Sequence, residues 1–240
     1  MRGKMCWLAG LLLLLGVQGG LAAVDGWVLA LSWHPGFCAG HSDAPDCLTA
    51  TVPRLTLHGL WPEARKPEEE DFCAVAPELR TLDRTNAWCR LPAQSVSRET
   101  SNALDGVMPG TAACLDRHEW LRHGTCSGLS AQDYFAMAAR LATRAGNLAI
   151  ERTLVSRAGA SMTLEDMERS VAADFGPDRA PAFTFVCGER DGVPYLSEVR
   201  VSLTADGPRL FPAPAVLHVP AFRTTQSCPT DQQIRIDGAR

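Results

Sequence analysis

The feature that most constrains the fold of this chain is its set of cysteines. The chain has 240 residues and nine cysteines, and eight of these lie between residues 38 and 228. An even number of cysteines in an exported chain indicates disulfide bonds formed in an oxidising compartment. A zinc site is the alternative, but no two cysteines are separated by the two residues that are typical of such sites. We therefore expect four disulfides.

The ninth cysteine, Cys6, lies in an N-terminal segment that has the order of a secretory signal. Basic residues precede an apolar run over residues 8–17, and small residues follow it. The run is too short to cross a bilayer comfortably, so an uncleaved membrane anchor is the less favoured alternative. We expect a signal peptide over residues 1–23 that is cleaved after Ala22 or Ala23. The protein is then periplasmic or secreted, with no membrane attachment.

The charge of the remaining chain limits how it can hold a polyanion. Without residues 1–23 the chain has 21 basic and 27 acidic residues, a net charge of −6. Proteins that hold nucleic acid non-specifically use a basic surface, so any such contact must come from a local site. Because the chain has no internal repeat and no low-complexity linker, we expect one domain over residues 24–240. The proline-rich stretch 207–220 is interpreted as a loop of that domain.

Hydrophobic periodicity predicts both strands and helices. The predicted strands cover residues 28–32, 55–58, 183–187 and 195–203. Asp191 and Gly192 predict a hairpin turn between the last two strands. Ser130 and Thr163, each with Asp three residues later, predict the starts of two helices. Strands and helices that are segregated along the chain favour an α+β fold, with a mainly antiparallel sheet flanked by helices.

Two short segments carry histidines in positions that suit chemistry. In the first, a predicted strand delivers His58, and Gly59 and Pro62 then turn the chain. Alone, a histidine at a strand end is more often structural than catalytic. The second segment, residues 118–126, predicts the last turns of a helix that Gly124 ends.

Four polar side chains of the second segment share one side of the predicted helix, at about 100° per residue. They are His118, Glu119, Arg122 and His123. Glu119 lies four residues before His123, so we expect its carboxylate to orient the imidazole or to raise its pKa. A solvated charged face is the alternative interpretation.

The same segment begins like a zinc-protease motif, which requires two histidines four residues apart. His118 and His123 are five residues apart, or about 140° around the helix. This spacing suits two side chains that line one site better than two ligands of one metal ion. We therefore expect no metal.

Two histidines, a carboxylate and a cation are the groups that RNA cleavage requires. One imidazole takes the proton of the ribose 2′-OH, and the other protonates the departing 5′-oxygen. A guanidinium stabilises the charge that collects on the phosphorane. Because the substrate supplies the nucleophile, the pattern predicts metal-independent cleavage of single-stranded RNA to 2′,3′-cyclic phosphate ends. DNA, which lacks the 2′-OH, should resist.

At these two segments the sequence resembles the ribonuclease T2 family, and within it the bacterial periplasmic branch. The block His-Gly-Leu-Trp-Pro stands at residues 58–62, and His-Glu-Trp-x-basic-His-Gly-x-Cys stands at residues 118–126. Looser similarity continues through residues 107–110, 133–135 and 196–199. The resemblance implies the family's α+β fold and an endoribonuclease of low base specificity. We expect a monomer that binds RNA and uses no cofactor.

The resemblance also implies roles for the matching residues. His123 is the expected general base and His58 the expected general acid, and the two exchange roles if the cyclic phosphate is later hydrolysed. Glu119 and Arg122 are expected to stabilise the phosphorane. The family usually has lysine at the position of Arg122; the two side chains are not interchangeable at a tight site, but we expect activity to survive.

Two further residues of the motifs are expected to contact substrate. His118 is expected to bind phosphate, and Trp61 to lie beside the scissile phosphate or a base. A packed core indole is the alternative for Trp61. The resemblance also implies the disulfide pairs Cys73–Cys126 and Cys187–Cys228, with Cys38–Cys47 and Cys89–Cys114 as the remaining pairs. The other histidines, His34, His41 and His218, are interpreted as structural or surface residues, and the acidic run 68–71 as a solvated loop.

A binding module that has this fold but has lost catalysis is the alternative function, because fold alone does not fix function. Loss of a catalytic histidine is the expected mark of such a protein, and both His58 and His123 are present.

Overall fold

The computed structural model describes residues 24–48, 51–63, 71–219 and 228–239. The expected signal peptide, residues 1–23, lies outside this range. The strands are β1 (Gly26–Trp33), β2 (Leu55–Glu63), β3 (Ser161–Met162), β4 (Phe183–Arg190), β5 (Val193–Thr204) and β6 (Ile234–Arg235). The helices are α1 (His34–Gly40), α2 (Pro77–Arg84), α3 (Arg98–Val107), α4 (Leu115–Arg122), α5 (Ala131–Ala145), α6 (Ala149–Ser156), α7 (Leu164–Phe175) and α8 (Gly207–Leu210).

Within the described residues, the strands form one mainly antiparallel sheet. Its order is β2-β1-β5-β6-β3, and β4 also pairs with β5. The pairs β1–β2, β1–β5, β3–β6 and β4–β5 are antiparallel, and β5–β6 is parallel. Helix α5 lies against β1 and β2, and α7 lies against β4. These contacts confirm the expected α+β class with a sheet flanked by helices.

Local signals predicted several of these elements correctly. The Ser130 hydroxyl accepts from the backbone N–H of Asp133 at the start of α5. Thr163 and Asp166 form a reciprocal capping box at the start of α7. In the turn between β4 and β5, Asp191 and Gly192 have φ values of 55° and 74°, the left-handed conformation that a tight two-residue hairpin requires.

Strand β2 differs from the prediction in length. The expected turn at Gly59 and Pro62 is wrong, because the strand continues to Glu63 and these residues pair with β1. Pro62 is tolerated because β2 is at the edge of the sheet. The register shifts between Ala30, opposite Gly59, and Leu31, opposite Leu57. His58 is therefore the extra residue of a β-bulge, a feature that redirects a side chain.

The end of α4 also differs from the prediction. The helix ends at Arg122, and Gly124 begins a short 3-10 helix instead of acting as a left-handed stop. A Cβ at Gly124 would lie 2.3 Å from Cε3 of Trp120. Close packing, and not backbone conformation, therefore requires glycine here. In the proline-rich stretch the described residues include α8 and a 3-10 turn at Pro214–Val216, so that stretch is not wholly a loop.

Disulfides fix the segments that surround α4. The eight described cysteines form the same four pairs that the resemblance implies: Cys38–Cys47, Cys73–Cys126, Cys89–Cys114 and Cys187–Cys228. Cys114 directly precedes α4, and Cys126 ends the 3-10 helix that follows it. Both ends of the helix segment are thus covalently held. No helix in the described part of the chain is long and apolar enough to cross a membrane.

Candidate active site

A cavity of about 480 Å³ lies between β2, β5 and α4. Its lining residues are His58, Trp61, Asp71, His118, Glu119, Arg122, His123 and Arg200. All six residues that the sequence analysis selected for catalysis or substrate binding therefore meet at one cavity. Asp71 and Arg200 were not among them.

His58 forms the strand wall of this cavity. Its Nδ1 lies 2.5 Å from Oε2 of Glu198 on β5, and its Nε2 lies 3.6 Å from Oε1 of Glu119. The side chain is 32% exposed, so one edge of the ring is open to a ligand. Glu198 is buried and also accepts from Nε of Arg200, at 2.5 Å.

The carboxylates around His58 control its protonation. Burial lowers the pKa of His58, but the hydrogen bond to Glu198 and the charges of Glu119 and Glu198 outweigh burial, so the pKa lies above its ordinary value. Burial raises the pKa of Glu198, yet its contacts with His58 and Arg200 lower it overall. The hydrogen bond to Glu198 and the two carboxylate charges thus favour the protonated form of His58.

Glu119 lies at the centre of the site and is 1% exposed. Its Oε2 accepts from the indole N–H of Trp61 at 2.8 Å. Its buried Oε1 has no hydrogen-bond partner in the described structure and lies 3.6 Å from Nε2 of His58 and 3.8 Å from Nε2 of His118. Burial raises the pKa of Glu119, although both histidines and Trp61 oppose this. A Cβ at Gly59 would lie 1.9 Å from Glu119 Oε2, which explains the glycine.

His123 forms the helix wall, directly after α4. The expectation that Glu119 orients His123 is wrong: the carboxylate of Glu119 faces His58, and His123 Nδ1 instead lies 3.3 Å from Oδ1 of Asp71. The ring centroid is 5.2 Å from that of Trp61. Burial lowers the pKa of His123 to about 3, and neighbouring cations assist, while Asp71 opposes. His123 is therefore neutral above mildly acidic pH.

His118 is held on two sides. Its Nδ1 lies 2.7 Å from Oδ1 of Asp83, a buried carboxylate on α2. Its ring stacks on Trp88 with centroids 4.5 Å apart. These contacts fix the ring, so that Nε2 lies beside Glu119 at the cavity. Sequence reasoning missed both Asp83 and Trp88.

Two guanidinium groups lie on opposite walls. Arg122 donates from Nε and Nη2 to Asp71, at 3.3 and 3.1 Å from Oδ2, and this contact raises its pKa. Arg200 lies over the Trp61 ring, with 5.1 Å between its Cζ and the ring centroid. The indole of Trp61 thus lines the cavity, and it also donates a hydrogen bond to buried Glu119.

The expectation of a solvated loop over the acidic run 68–71 is wrong for Asp71, which contacts Arg122 and His123. The rest of that run, residues 68–70, lies outside the described residues. Glu198 gave one signal, because the alternation of apolar and polar residues in the predicted strand breaks there. Asp83 and Arg200 gave none.

One group in the described part of the chain has the spacing of metal ligands: His34 with Cys38 and Cys47. The two cysteines form a disulfide, so they offer no thiolate, the form that binds a metal.

The fold and the cavity together define a class of protein. Two imidazoles with opposite pKa shifts, beside buried carboxylates and guanidinium groups, are the groups of an acid–base phosphodiester site. The ribonuclease T2 family model matches residues 24–213. The chain belongs to this family, and it is a T2-type ribonuclease.

A curated relative and two solved structures agree with this assignment. Ribonuclease I of Escherichia coli is 31% identical over 206 residues, which cover 76% of each chain. The self-incompatibility associated SF11-RNase of Nicotiana alata has a TM-score of 0.61 at 18% identity, and the match covers 89% of this chain and 99% of that one. A variant of RNase MC1 from bitter gourd, in complex with 5′-UMP, has a TM-score of 0.54 at 20% identity over 77% of this chain and 90% of that one. The two solved structures support the fold.

Proposed function

We propose that this ribonuclease cleaves single-stranded RNA by metal-independent transphosphorylation to 2′,3′-cyclic phosphate ends. The observation that carries the proposal is that His58 and His123 line one cavity, each with its Nδ1 beside a carboxylate. Near neutral pH, His123 is neutral and can accept a proton. The raised pKa of His58 favours its protonated form, which can donate a proton. A neutral imidazole can act as a general base, and a protonated one can act as a general acid.

The contacts of each imidazole suggest which nitrogen acts. Nδ1 of His123 faces Asp71, which leaves Nε2 to accept the proton of the 2′-OH. Nδ1 of His58 is bonded to Glu198, which leaves Nε2 to protonate the 5′-oxygen as the P–O bond breaks. The 2′-oxygen forms the new bond to phosphorus. Hydrolysis of the cyclic product reverses the two roles.

The charge that collects on the phosphorane needs a counter-charge in the cavity. Arg122 and His118 line the cavity beside His123, and they are the proposed phosphate ligands. Glu119 is proposed to hold the imidazoles of His58 and His118 in position, since its carboxylate lies within 4 Å of both. Preorganised charged groups of this kind typically contribute a large part of the stabilisation of the transition state.

We further propose low base specificity. The cavity lining is dominated by charged side chains that suit phosphate, and Trp61 offers an aromatic face, on which any base can stack. Solved relatives are complexes with 5′-UMP and with 5′-AMP, which supports an RNA nucleotide as the ligand.

The N-terminal segment, residues 1–23, and the disulfides support export. We propose that residues 1–23 are a signal peptide and that residues 24–240 act as a single-domain monomer in the periplasm or outside the cell. Four disulfides fit an oxidising compartment.

The test is incubation of the purified protein with homopolymeric RNAs and a matched DNA, with and without EDTA. Product ends are identified by mass spectrometry at early times. We expect cleavage of all four RNAs, intact DNA, no effect of EDTA and early 2′,3′-cyclic phosphates. Products with 5′-phosphate ends, or loss of activity in EDTA, would contradict the proposal.

A further inference from the structure

A second cavity, of about 460 Å³, adjoins the catalytic cavity. The two share Asp71, His118 and Arg122. Beyond these residues, the second cavity is lined by Arg80 and Arg84 of α2. The proposed mechanism uses neither arginine.

The two arginines of α2 are four residues apart and therefore lie on one face of the helix. Arg80 donates from Nε to the backbone oxygen of Val75 at 2.9 Å, which fixes its guanidinium group. The Cζ atoms of Arg84 and Arg122 both lie 5.9 Å from the ring centroid of Phe72. One aromatic ring thus positions two cations at the same cavity.

The acidic residues of this cavity already have partners. Asp71 pairs with Arg122 and His123, and Asp83 pairs with His118. Among the described residues, no carboxylate lies within ion-pair distance of Arg80 or Arg84. Guanidinium groups in a concave site that have no such partner in the described part of the chain suit phosphate, whose geometry matches the planar fork.

We propose that this cavity binds a second phosphate of the RNA chain, next to the scissile one. The inference rests on the proposed function, because the neighbouring phosphate reaches this cavity only if the scissile phosphate occupies the catalytic cavity. A subsite of this kind explains how a protein of net negative charge holds a polyanion. It supplies a local positive charge beside the reaction and favours polymeric RNA over a dinucleotide.

The test compares two substrates that have the same two bases at the scissile bond. One is a dinucleoside monophosphate, which has only the scissile phosphate. The other is a hexanucleotide with a single ribonucleotide among deoxynucleotides, which has one scissile bond and several flanking phosphates. The test variants are Arg80→Gln combined with Arg84→Gln, and Arg84→Gln alone. The charge-matched control combines Arg140→Gln and Arg157→Gln, two exposed arginines that line neither cavity.

We expect the double variant at Arg80 and Arg84 to lower kcat/KM for the hexanucleotide about tenfold at low salt. The salt dependence should weaken as well, because each phosphate that the variant no longer neutralises makes the slope of log kcat/KM against log salt less negative by about 0.7. Activity on the dinucleoside should stay within about twofold of wild type, as expected for groups that bind only the flanking phosphate. The Arg84→Gln variant should show a smaller decrease of the same kind.

Equal losses on both substrates, no loss on the hexanucleotide, or an equal loss in the control would each overturn the subsite. Failure of the proposed function looks different. In that case the wild-type protein leaves the ribonucleotide linkage intact or releases ends other than 2′,3′-cyclic phosphates. The wild-type products therefore test the reaction, and the variants test the subsite.

Discussion

The strand wall and the helix wall of the cavity each present an imidazole beside a carboxylate, yet the two imidazoles have opposite pKa shifts. His58 on β2 is bonded to buried Glu198 and lies near buried Glu119. Among the described residues, His123 after α4 has one carboxylate within ion-pair distance, that of Asp71 at 3.3 Å, which is 42% exposed and shared with Arg122. The pKa is raised at His58 and lowered to about 3 at His123.

This difference shows that a nearby carboxylate does not by itself make a histidine basic. Burial disfavours the imidazolium at both positions. At His58, two buried carboxylates overcome this cost. At His123, the single exposed carboxylate does not, because its charge is screened and Arg122 competes for it. The opposite pKa shifts, on which the proposed acid and base roles depend, thus follow from the number and burial of the partners.

The largest expected effect comes from removing either imidazole. We expect His58→Ala and His123→Ala each to lower kcat by about 10²–10⁴-fold, the usual contribution of general acid–base catalysis. The double variant should lose little more than the worse single variant, because the two residues act as a unit. His218→Ala, at an exposed histidine outside the cavity, is the control and should retain full activity.

A substrate with a different leaving group distinguishes the role of His58 from that of His123. A nucleoside 3′-(4-nitrophenyl phosphate) has a leaving group that needs no protonation, so it should restore most of the activity of His58→Ala and little of that of His123→Ala. The reverse pattern would exchange the acid and the base. Full activity of either variant on RNA would remove that residue from the mechanism.

The second effect, of intermediate size, comes from Glu198→Gln. Removal of this charge leaves burial less opposed, so the pKa of His58 should fall. A general acid acts only when protonated, and activity is lost as pH rises through its pKa. The alkaline limb of the kcat/KM profile should therefore move to lower pH, with a loss on the order of tenfold above that limb, a fraction of the acid's contribution.

At low pH, where His58 is protonated in both proteins, the Glu198→Gln variant should approach wild-type activity. Glu189→Gln on the neighbouring strand is the matched control, because Glu189 is exposed and lies along β4 beyond Val186, the residue that pairs with Glu198. A loss that is uniform across pH would indicate structural damage, and an unmoved alkaline limb would show that Glu198 does not set the pKa of His58.

The sequence was sufficient to select six residues that the fold brings to one cavity. His118, Glu119, Arg122 and His123 lie close together because they are neighbours on a helix, and local geometry predicts this. His58 belongs to a motif whose resemblance supplied what geometry could not, namely that the two segments meet. The sequence also predicted the capped helices and the Asp191–Gly192 hairpin, because these signals lie within a few residues of each other.

The partners of these residues could not be predicted, because they come from distant parts of the chain. Glu198 is 140 residues from His58, Asp71 is 51 from Arg122, and Asp83 is 35 from His118. The bulge at His58 arises from its pairing with β1 and not from its own neighbours. A single polar residue that breaks the alternation of β5 was the one local sign, and it identified Glu198 only as an irregularity.

The smallest effect is expected from Asp71→Asn, the counterpart of Glu198→Gln on the helix wall. Asp71 raises the pKa of His123 against burial, so its removal should lower that pKa further below about 3. A general base acts when unprotonated, and His123 is already neutral at pH 5–7. The rate there should change by less than about fivefold, the scale of a solvent-exposed ion pair, and only the acid limb should move, to lower pH.

The kcat/KM profile from about pH 2 to pH 8, measured for wild type and both variants, tests the contrast between the walls. The contrary result is that Asp71→Asn moves the alkaline limb or lowers the activity at pH 7 as much as Glu198→Gln does. Asp71 would then control the pKa of His123 as strongly as Glu198 controls that of His58. The physical reason given for the opposite pKa values would then fail, because an exposed, shared carboxylate would be acting as strongly as a buried one.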